Sequence, residues 1–284
     1  GLVGSEMCIR DRLRTKAPAR ASRILPKAPF APMEDLIQLA WKAGIAASVL
    51  MLVVLAGQRA GPVLAGIAMT YPFNVGVGSS LMVLERSDAF MAGSGLAGFA
   101  GAGAVYLFLG GYSVAAGRIG GFIKPWLIGI AAWFALAFIA IRYDATWPLA
   151  TSLAVGGFVI GMLMIRKPPS TPVQPGDNGQ GTWAASIARA VVGGTTIAAI
   201  AVYSKELGPA ISGMALALPT MMSASLWILN RRFGDAFARE SVYRSRWALL
   251  SYSSFVLFLG LLAEPLGGVE AMAVSACIAG LMSY

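Results

Sequence analysis

Apolar runs long enough to span a bilayer as helices, about 20 residues each, recur along most of this 284-residue chain. This feature constrains the fold more than any other. Only 12% of the residues are charged and 57% are hydrophobic, whereas a soluble domain carries about 25% charged residues. The runs are continuously apolar rather than alternating, so they predict an all-α, polytopic membrane protein and exclude a β-barrel.

The predicted spans form two groups, separated by a polar stretch rich in Pro and Gly at 166–181 that we interpret as a linker. The two membrane units are therefore predicted at 33–165 and 182–284. The spans TM1–TM9 are predicted at 36–57, 61–84, 90–113, 120–141, 146–165, 183–204, 207–229, 247–263 and from 267 onward.

Residues 1–32 differ in composition from the rest of the chain. They hold seven basic residues and four prolines and contain no apolar run. We interpret them as a non-native or disordered leader, with the native start at Met33, where Glu34, Asp35 and the first apolar run follow. The alternative interpretation is a basic targeting segment.

An internal repeat is the strongest signal after hydrophobicity. Residues 60–72 (AGPVLAGIAMTYP) match residues 207–219 (LGPAISGMALALP) at an offset of 147 positions. We predict two five-helix repeats, the second inverted because five is odd. The partner of the fifth helix would lie beyond residue 284, so we expect nine of ten helices, with the last helix missing. The same offset relates Lys42 to Arg189, Asp88 to Asp235, and Gly120-Gly121 to Gly267-Gly268.

Basic residues predict the orientation, because they favour cytoplasmic loops. With the N-terminus outside, the inner loops hold ten basic residues and the outer loops three. Trp126 and Trp147 lie near predicted span ends and are interpreted as interfacial anchors. One inner loop carries five arginines that we interpret as topology determinants, or alternatively as a contact for anionic lipid: Arg231, Arg232, Arg239, Arg244 and Arg246.

A candidate substrate site surrounds two prolines, Pro72 and Pro219, near the middle of the second span of each repeat. Broken helices that meet near the midplane are typical of inverted-repeat secondary transporters. The alternative is a simple kink whose freed backbone groups are covered by neighbouring side chains. The polar residues predicted to share this substrate-binding site are Thr70, Tyr71, Asn74, Thr220 and Ser223.

Four charged residues are predicted within or beside the membrane: Lys42, Asp88, Arg189 and Asp235. One interpretation is snorkelling of the two cations to the headgroups. A second is one ion pair in each repeat, Lys42 with Asp88 and Arg189 with Asp235. A third is coupling to a substrate or a proton.

The stretch AGIAMTYPFNVGVGSSLMVLERSDAF at 65–90 resembles the GlpM-type family of small bacterial inner-membrane proteins. The shared features are Ala65-Gly66, the proline six residues beyond that glycine, and Glu85-Arg86 followed by an alanine in the next turn. The second repeat departs from this pattern and has Arg231-Arg232 instead of an acidic–basic pair. The resemblance implies location in a bacterial inner membrane. The family's members are single short units, whereas this chain looks like a fused pair.

These features favour a secondary transporter or permease for an unidentified small solute. The alternative is a non-transporting scaffold or regulator of envelope polymer synthesis, which the resemblance suggests. An enzyme ranks last, because a chain with no histidine and few acidic residues offers little for acid–base chemistry or metal binding. We therefore predict no catalytic residue, no metal and no cofactor. The net charge of +9 is assigned to loops and leader rather than to nucleic-acid binding.

Overall fold

The computed structural model describes residues 33–59, 72–168 and 183–283. The regular secondary structure of these residues is entirely helical, which confirms the predicted all-α, polytopic membrane fold. The part of the chain described here contains nine helices: α1 (Met33–Arg59), α2 (Phe73–Val83), α3 (Asp88–Arg118), α4 (Ile123–Arg142), α5 (Trp147–Met164), α6 (Trp183–Leu216), α7 (Thr220–Ser245), α8 (Leu249–Leu266) and α9 (Gly268–Leu281).

Membrane-spanning capacity is concentrated in six helical stretches of the described residues, each long and apolar enough to cross a bilayer. Two further helices, α2 and α9, are apolar but shorter. The chain is therefore a multi-pass integral membrane protein. The six stretches are Met33–Leu52, Asp88–Arg118, Ile123–Arg142, Trp147–Met164, Ser186–Arg231 and Leu249–Leu266.

The span predicted at 207–229 begins within one residue of a break at Gly208 and is divided again at Pro219, where the sequence predicted a break. Helix α6 breaks at Gly208 (φ 75°), resumes to Leu216, and is followed by a separate helix that begins at Thr220. The prediction of a loop after this span is wrong, because the chain is helical there: α7 breaks at Gly234 (φ 80°) and then continues as a helix to Ser245. Glycine accepts a positive φ without steric cost, so the chain changes direction and resumes a helix at the next residue.

Several predicted segments lie wholly or partly outside the described residues. These are the leader at 1–32, the first part of the span predicted at 61–84, and most of the linker predicted at 166–181.

Helix α3 forms the centre of the bundle. It packs against α4, α5, α6 and α8, and its buried surface is made largely of Gly and Ala. Small residues let backbones approach closely: a methyl group added at Gly157 of α5 would lie 2.5 Å from the carbonyl oxygen of Gly103. Gly260 of α8 similarly lies against Gly95 and Leu96. In a membrane, such close packing replaces the hydrophobic drive that operates in water.

The outer surface of the bundle is apolar. On α4, Leu127, Phe134 and Phe138 are 52%, 56% and 67% exposed. A second, smaller core joins α1 to α6, where Ala46, Leu50, Ala190 and Ile197 pack together. Large apolar side chains pointing outward agree with lipid as the solvent of this fold.

Candidate functional site

The two prolines of the predicted site occupy matching positions, each at the residue before a helix. Pro72 precedes α2 with φ −75° and ψ 54°, and Pro219 precedes α7 with φ −77° and ψ 49°. Both prolines are buried. Neither residue is helical, and neither carries a side-chain cap for the helix that follows. A new helix therefore starts directly after each proline, and at Pro219, where α6 precedes it, the chain is broken rather than kinked within a continuous helix.

The polar residues beside the breaks have different environments. Ser223 donates its hydroxyl to the carbonyl of Pro219 at 2.6 Å and accepts from the indole of Trp126 at 2.9 Å. Asn74 and Thr220 are half-buried. Thr70 and Tyr71 lie outside the described residues. The predicted anchor Trp126 thus points into the bundle and ties α4 to the start of α7.

The two breaks meet a common cluster. Phe73, at the start of α2, and Met221, at the start of α7, both pack against the Ala46–Leu50–Ala190–Ile197 core. Helices α1 and α6 cross at this core, where a methyl added at Gly194 would lie 2.6 Å from the backbone nitrogen of Ala47. The structure therefore brings the starts of α2 and α7 to the same helix crossing.

Lys42 is completely buried and forms an ion pair. Its ammonium nitrogen lies 2.7 Å from Oε1 and 2.8 Å from Oε2 of Glu85, in the turn after α2. The prediction that Lys42 pairs with Asp88 is wrong, because the Asp88 carboxylate accepts a hydrogen bond from the backbone N–H of Gly268 instead. Snorkelling is also excluded for Lys42, because its side chain is 0% exposed. A buried cation needs such a partner, since an unpaired charge within a membrane is costly.

Arg189 occupies the position related to Lys42 by the 147-residue offset, but its contacts differ. Its Nη1 donates to Ser225 at 3.0 Å, and its Nε is buried without a hydrogen-bond partner. The predicted pairing with Asp235 is wrong, and the described residues place no other carboxylate within ion-pair distance of Arg189. Substrate or proton coupling at Arg189 stays a prediction.

Asp88 and Asp235 make reciprocal contacts with the two glycine pairs. Asp88 accepts from Gly268 N–H at 2.7 Å, and Asp235 accepts from Gly121 N–H at 2.8 Å. Adding 147 converts Asp88 into Asp235 and Gly121 into Gly268, so one contact is the counterpart of the other. Asn230 also donates to Asp235. The break at Gly234 places Asp235 beside the end of α3, which explains why it does not reach Arg189.

The arginines predicted to contact anionic lipid are on α7 and the turn after it, not in an irregular loop. The side chain of Arg232 lies outside the described part. Arg239 packs its guanidinium against Gly117, and Arg246 stacks over Tyr243 at 3.6 Å. The remaining two are Arg244, which pairs with Glu240 at 2.7 Å, and Arg231, which lies 5.9 Å from the Trp227 ring.

Glu85 and Arg86 were not among the predicted site residues, although both side chains contact buried residues. Glu85 neutralises Lys42, and the Arg86 Nε donates to the buried hydroxyl of Ser204 at 2.8 Å. The available signal was charge order: a lysine inside an apolar span needs an acid, and an acid–base pair follows the second predicted span directly.

The described residues contain no group of three or more acidic or sulfur side chains that could hold a metal ion. Comparison with known proteins gave no match to a family model, to a curated protein or to a solved structure. The fold and its apolar surface define a multi-pass α-helical integral membrane protein.

Proposed function

We propose that the protein is a secondary transporter or permease for a small solute in a bacterial inner membrane, built from two inverted repeats, with its N-terminus outside. The reciprocal hydrogen bonds Asp88–Gly268 and Asp235–Gly121 carry this proposal. Reciprocal contacts between equivalent residues are the signature of a two-fold axis.

The direction of that axis follows from α3. Asp88 begins the helix, and Gly121 follows its last residue, Arg118. The two contacts therefore lie about 45 Å apart along a helix that crosses the membrane. A two-fold rotation that moves each contact onto the other moves each end of α3 to the position of the opposite end. It therefore also exchanges the two membrane faces. This supports an axis in the membrane plane, as in inverted-repeat transporters, rather than one along the membrane normal.

The crossing of α1 and α6 supports the same axis. Ala47 and Gly194 are equivalent at the 147-residue offset, and they touch each other. A contact between equivalent residues lies on a two-fold axis. Ala47 lies near the middle of the 27-residue helix α1, so this point falls near the bilayer centre. Phe73 and Met221, beside the two prolines, pack against this crossing, where alternating access by rocking of one repeat against the other would expose them.

Orientation rests on charge. The end of the bundle that holds Gly121 and Asp235 also holds the arginines of α7, whereas Glu85, Asp88 and Glu264 lie toward the opposite end. Basic residues favour the cytoplasm, which supports an outer location for Asp88 and for the N-terminus of α1. The bacterial inner membrane is proposed on the GlpM-type resemblance.

Accessibility of the breaks tests the transport mechanism without knowledge of the solute. In a Cys8→Ser, Cys277→Ser background, Asn74→Cys and Thr220→Cys are each treated with a membrane-impermeant maleimide in right-side-out and in inside-out vesicles. A transporter that alternates its access labels both positions from both sides. Asp144→Cys and Arg118→Cys, exposed at opposite ends of the bundle, report the sidedness of the vesicles.

Labelling of Asn74→Cys and Thr220→Cys from one side only, or from neither, would overturn the transporter proposal. That result favours the alternative of a non-transporting scaffold or regulator of envelope polymer synthesis, which needs no alternating path.

A further inference from the structure

A cavity of about 300 Å³ opens between α3, α5 and α8, at the end of the bundle where α3 begins. Its walls are mostly small or apolar, with Ala92 and Gly93 on one side and Gly260 on the other. Trp147 borders the cavity, its ring edge packed near Gly260. The size suits one small organic molecule rather than a chain segment.

Glu264 is the one charged residue in the cavity lining. Its side chain is exposed, and within the described ranges no lysine or arginine lies at ion-pair distance from it. A carboxylate beside an aromatic ring is a pairing that attracts organic cations, through charge and through the negative face of the ring.

The opposite end of the bundle contains the counterpart of this cavity. The 147-residue offset relates Ala92 to Arg239 and Glu264 to Gly117. At the inner end, the guanidinium of Arg239 packs directly on Gly117, and a methyl added there would lie 2.8 Å from the guanidinium carbon. The inner position is therefore filled by a planar cation that belongs to the chain.

At the outer end, a methyl group replaces that arginine side chain, and a carboxylate replaces the glycine. The space that the Arg239 guanidinium occupies at the inner end is open at the outer end, where the Glu264 carboxylate adds a negative charge to its wall. The volume of the cavity, the charge of Glu264 and the arginine at the equivalent inner position thus all indicate a small organic cation as the occupant.

We propose that this cavity binds a small organic cation with a planar amidinium or guanidinium group, or an ammonium group, paired with Glu264 and lying beside Trp147. In the proposed topology the cavity faces outward, so it names the substrate class of the proposed transporter and rests on that function for this role. Binding itself does not require transport, so failure of one is distinguishable from failure of the other.

Benzamidine and benzamide provide a matched probe pair, because they have nearly the same shape and only benzamidine is charged. Equilibrium dialysis of the purified full-length chain in detergent measures binding. Saturable binding of benzamidine, with benzamide at least tenfold weaker, is expected. Glu264→Gln should weaken benzamidine binding at least tenfold, and Trp147→Leu several-fold. Glu34→Gln makes the same charge change on the exposed first turn of α1 and should bind as the unmodified protein does.

Ala92→Arg provides an independent variant, because it supplies the outer site with the residue found at the inner one. It should abolish benzamidine binding while raising the Tm, since the new guanidinium reaches Glu264. Equal binding of benzamide and benzamidine, or unchanged binding in folded Glu264→Gln or Ala92→Arg protein, would overturn the proposal.

A lipid headgroup also carries an ammonium group, and nanodiscs distinguish the two sources. Competition by phosphatidylethanolamine, measured against discs of phosphatidylglycerol alone, would assign the cation site to a headgroup. Unchanged benzamidine affinity in both discs would assign it to a free solute. Either result supports a cation site, and the maleimide experiment tests transport separately.

Discussion

The carboxylate of Asp88 accepts a hydrogen bond from the backbone N–H of Gly268 at 2.7 Å, joining the start of α3 to the start of α9. The first N–H groups of a helix lack partners within that helix, and a carboxylate there also interacts favourably with the helix dipole. The carboxylate of Asp235 likewise accepts a hydrogen bond from the backbone N–H of Gly121, just before α4. Each aspartate thus binds a backbone N–H in the other half of the chain.

Removing either acid should destabilise the protein. Asp88→Ala and Asp235→Ala each delete a charge-assisted hydrogen bond, which typically contributes about 1.5–3 kcal/mol. Because Asp88 is exposed, we expect about 1 kcal/mol there and more at Asp235, which also accepts from Asn230. Thermal unfolding of the purified protein measures the change in Tm. Glu206→Ala, at an exposed position, should leave Tm unchanged. A loss at only one of the two aspartates would argue against their equivalence.

The Lys42–Glu85 pair should respond asymmetrically. Glu85→Gln leaves a fully buried ammonium without its counter-charge, whereas Lys42→Met leaves a carboxylate that is 36% exposed and can be hydrated. Breaking a buried pair from one side costs about 3–5 kcal/mol, and partial exposure of Glu85 reduces that figure. We expect Glu85→Gln to lower Tm more than Lys42→Met does.

The double variant Lys42→Met/Glu85→Gln gives the check on this explanation. It should be more stable than Glu85→Gln alone, because no unpaired charge remains in the membrane. A double variant whose loss equals the sum of the two single losses would show that the two side chains act independently.

Helix α5 contains an adjacent pair of glycines with opposite environments. A methyl group at Gly157 would lie 2.5 Å from the carbonyl oxygen of Gly103, whereas one at Gly156 would meet nothing within 4 Å. Gly157→Ala should therefore separate α5 from α3 and lower Tm. Gly156→Ala should leave Tm unchanged or raise it, because Ala favours the helix over Gly by about 1 kcal/mol. Thermal unfolding of the two variants compares them directly, and equal values would contradict the α3–α5 packing.

The amount and the pattern of hydrophobic residues were sufficient to predict the fold class, because lipid admits only helices and closed barrels and the apolar runs are continuous rather than alternating. The first and third to sixth spans were located to within a few residues. The seventh predicted span is divided between the end of α6 and the start of α7, and Pro219, which the repeat singled out, stands at the division. The second segment of α7, after Gly234, was predicted as a loop because its charges resemble those of a loop.

The site was predicted only in part. The proline positions followed from the repeat, and the structure places both prolines before helices. Partners of buried charges were predicted incorrectly, because the 147-residue offset suggested Asp88 for Lys42 while the side chain reaches Glu85. Contacts between distant elements, such as Trp126 with Ser223, depend on how helices rotate against each other, and no local pattern encodes that rotation.

The crossing of α1 and α6 gives the last prediction. Gly194 lies against the backbone of Ala47, and these two positions are equivalent at the offset of 147. A methyl at Gly194 would lie 2.6 Å from the Ala47 nitrogen and 2.9 Å from its Cα, so the helices must separate to accommodate it. Gly44, on α1, has nothing within 4 Å of the same added atom and serves as the matched control.

Both substitutions replace a glycine within a helix, where Ala is favoured. Gly44→Ala should therefore leave Tm unchanged or raise it slightly, whereas Gly194→Ala should lower Tm because the added methyl meets Ala47. Separation of α1 from α6 also disturbs the core on which Phe73 and Met221 pack. The maleimide labelling of Asn74→Cys should therefore change in rate when combined with Gly194→Ala and stay the same when combined with Gly44→Ala. If the Gly194→Ala protein has the same Tm and the same labelling rate as the unmodified protein, the two proposed repeats do not rock about this crossing.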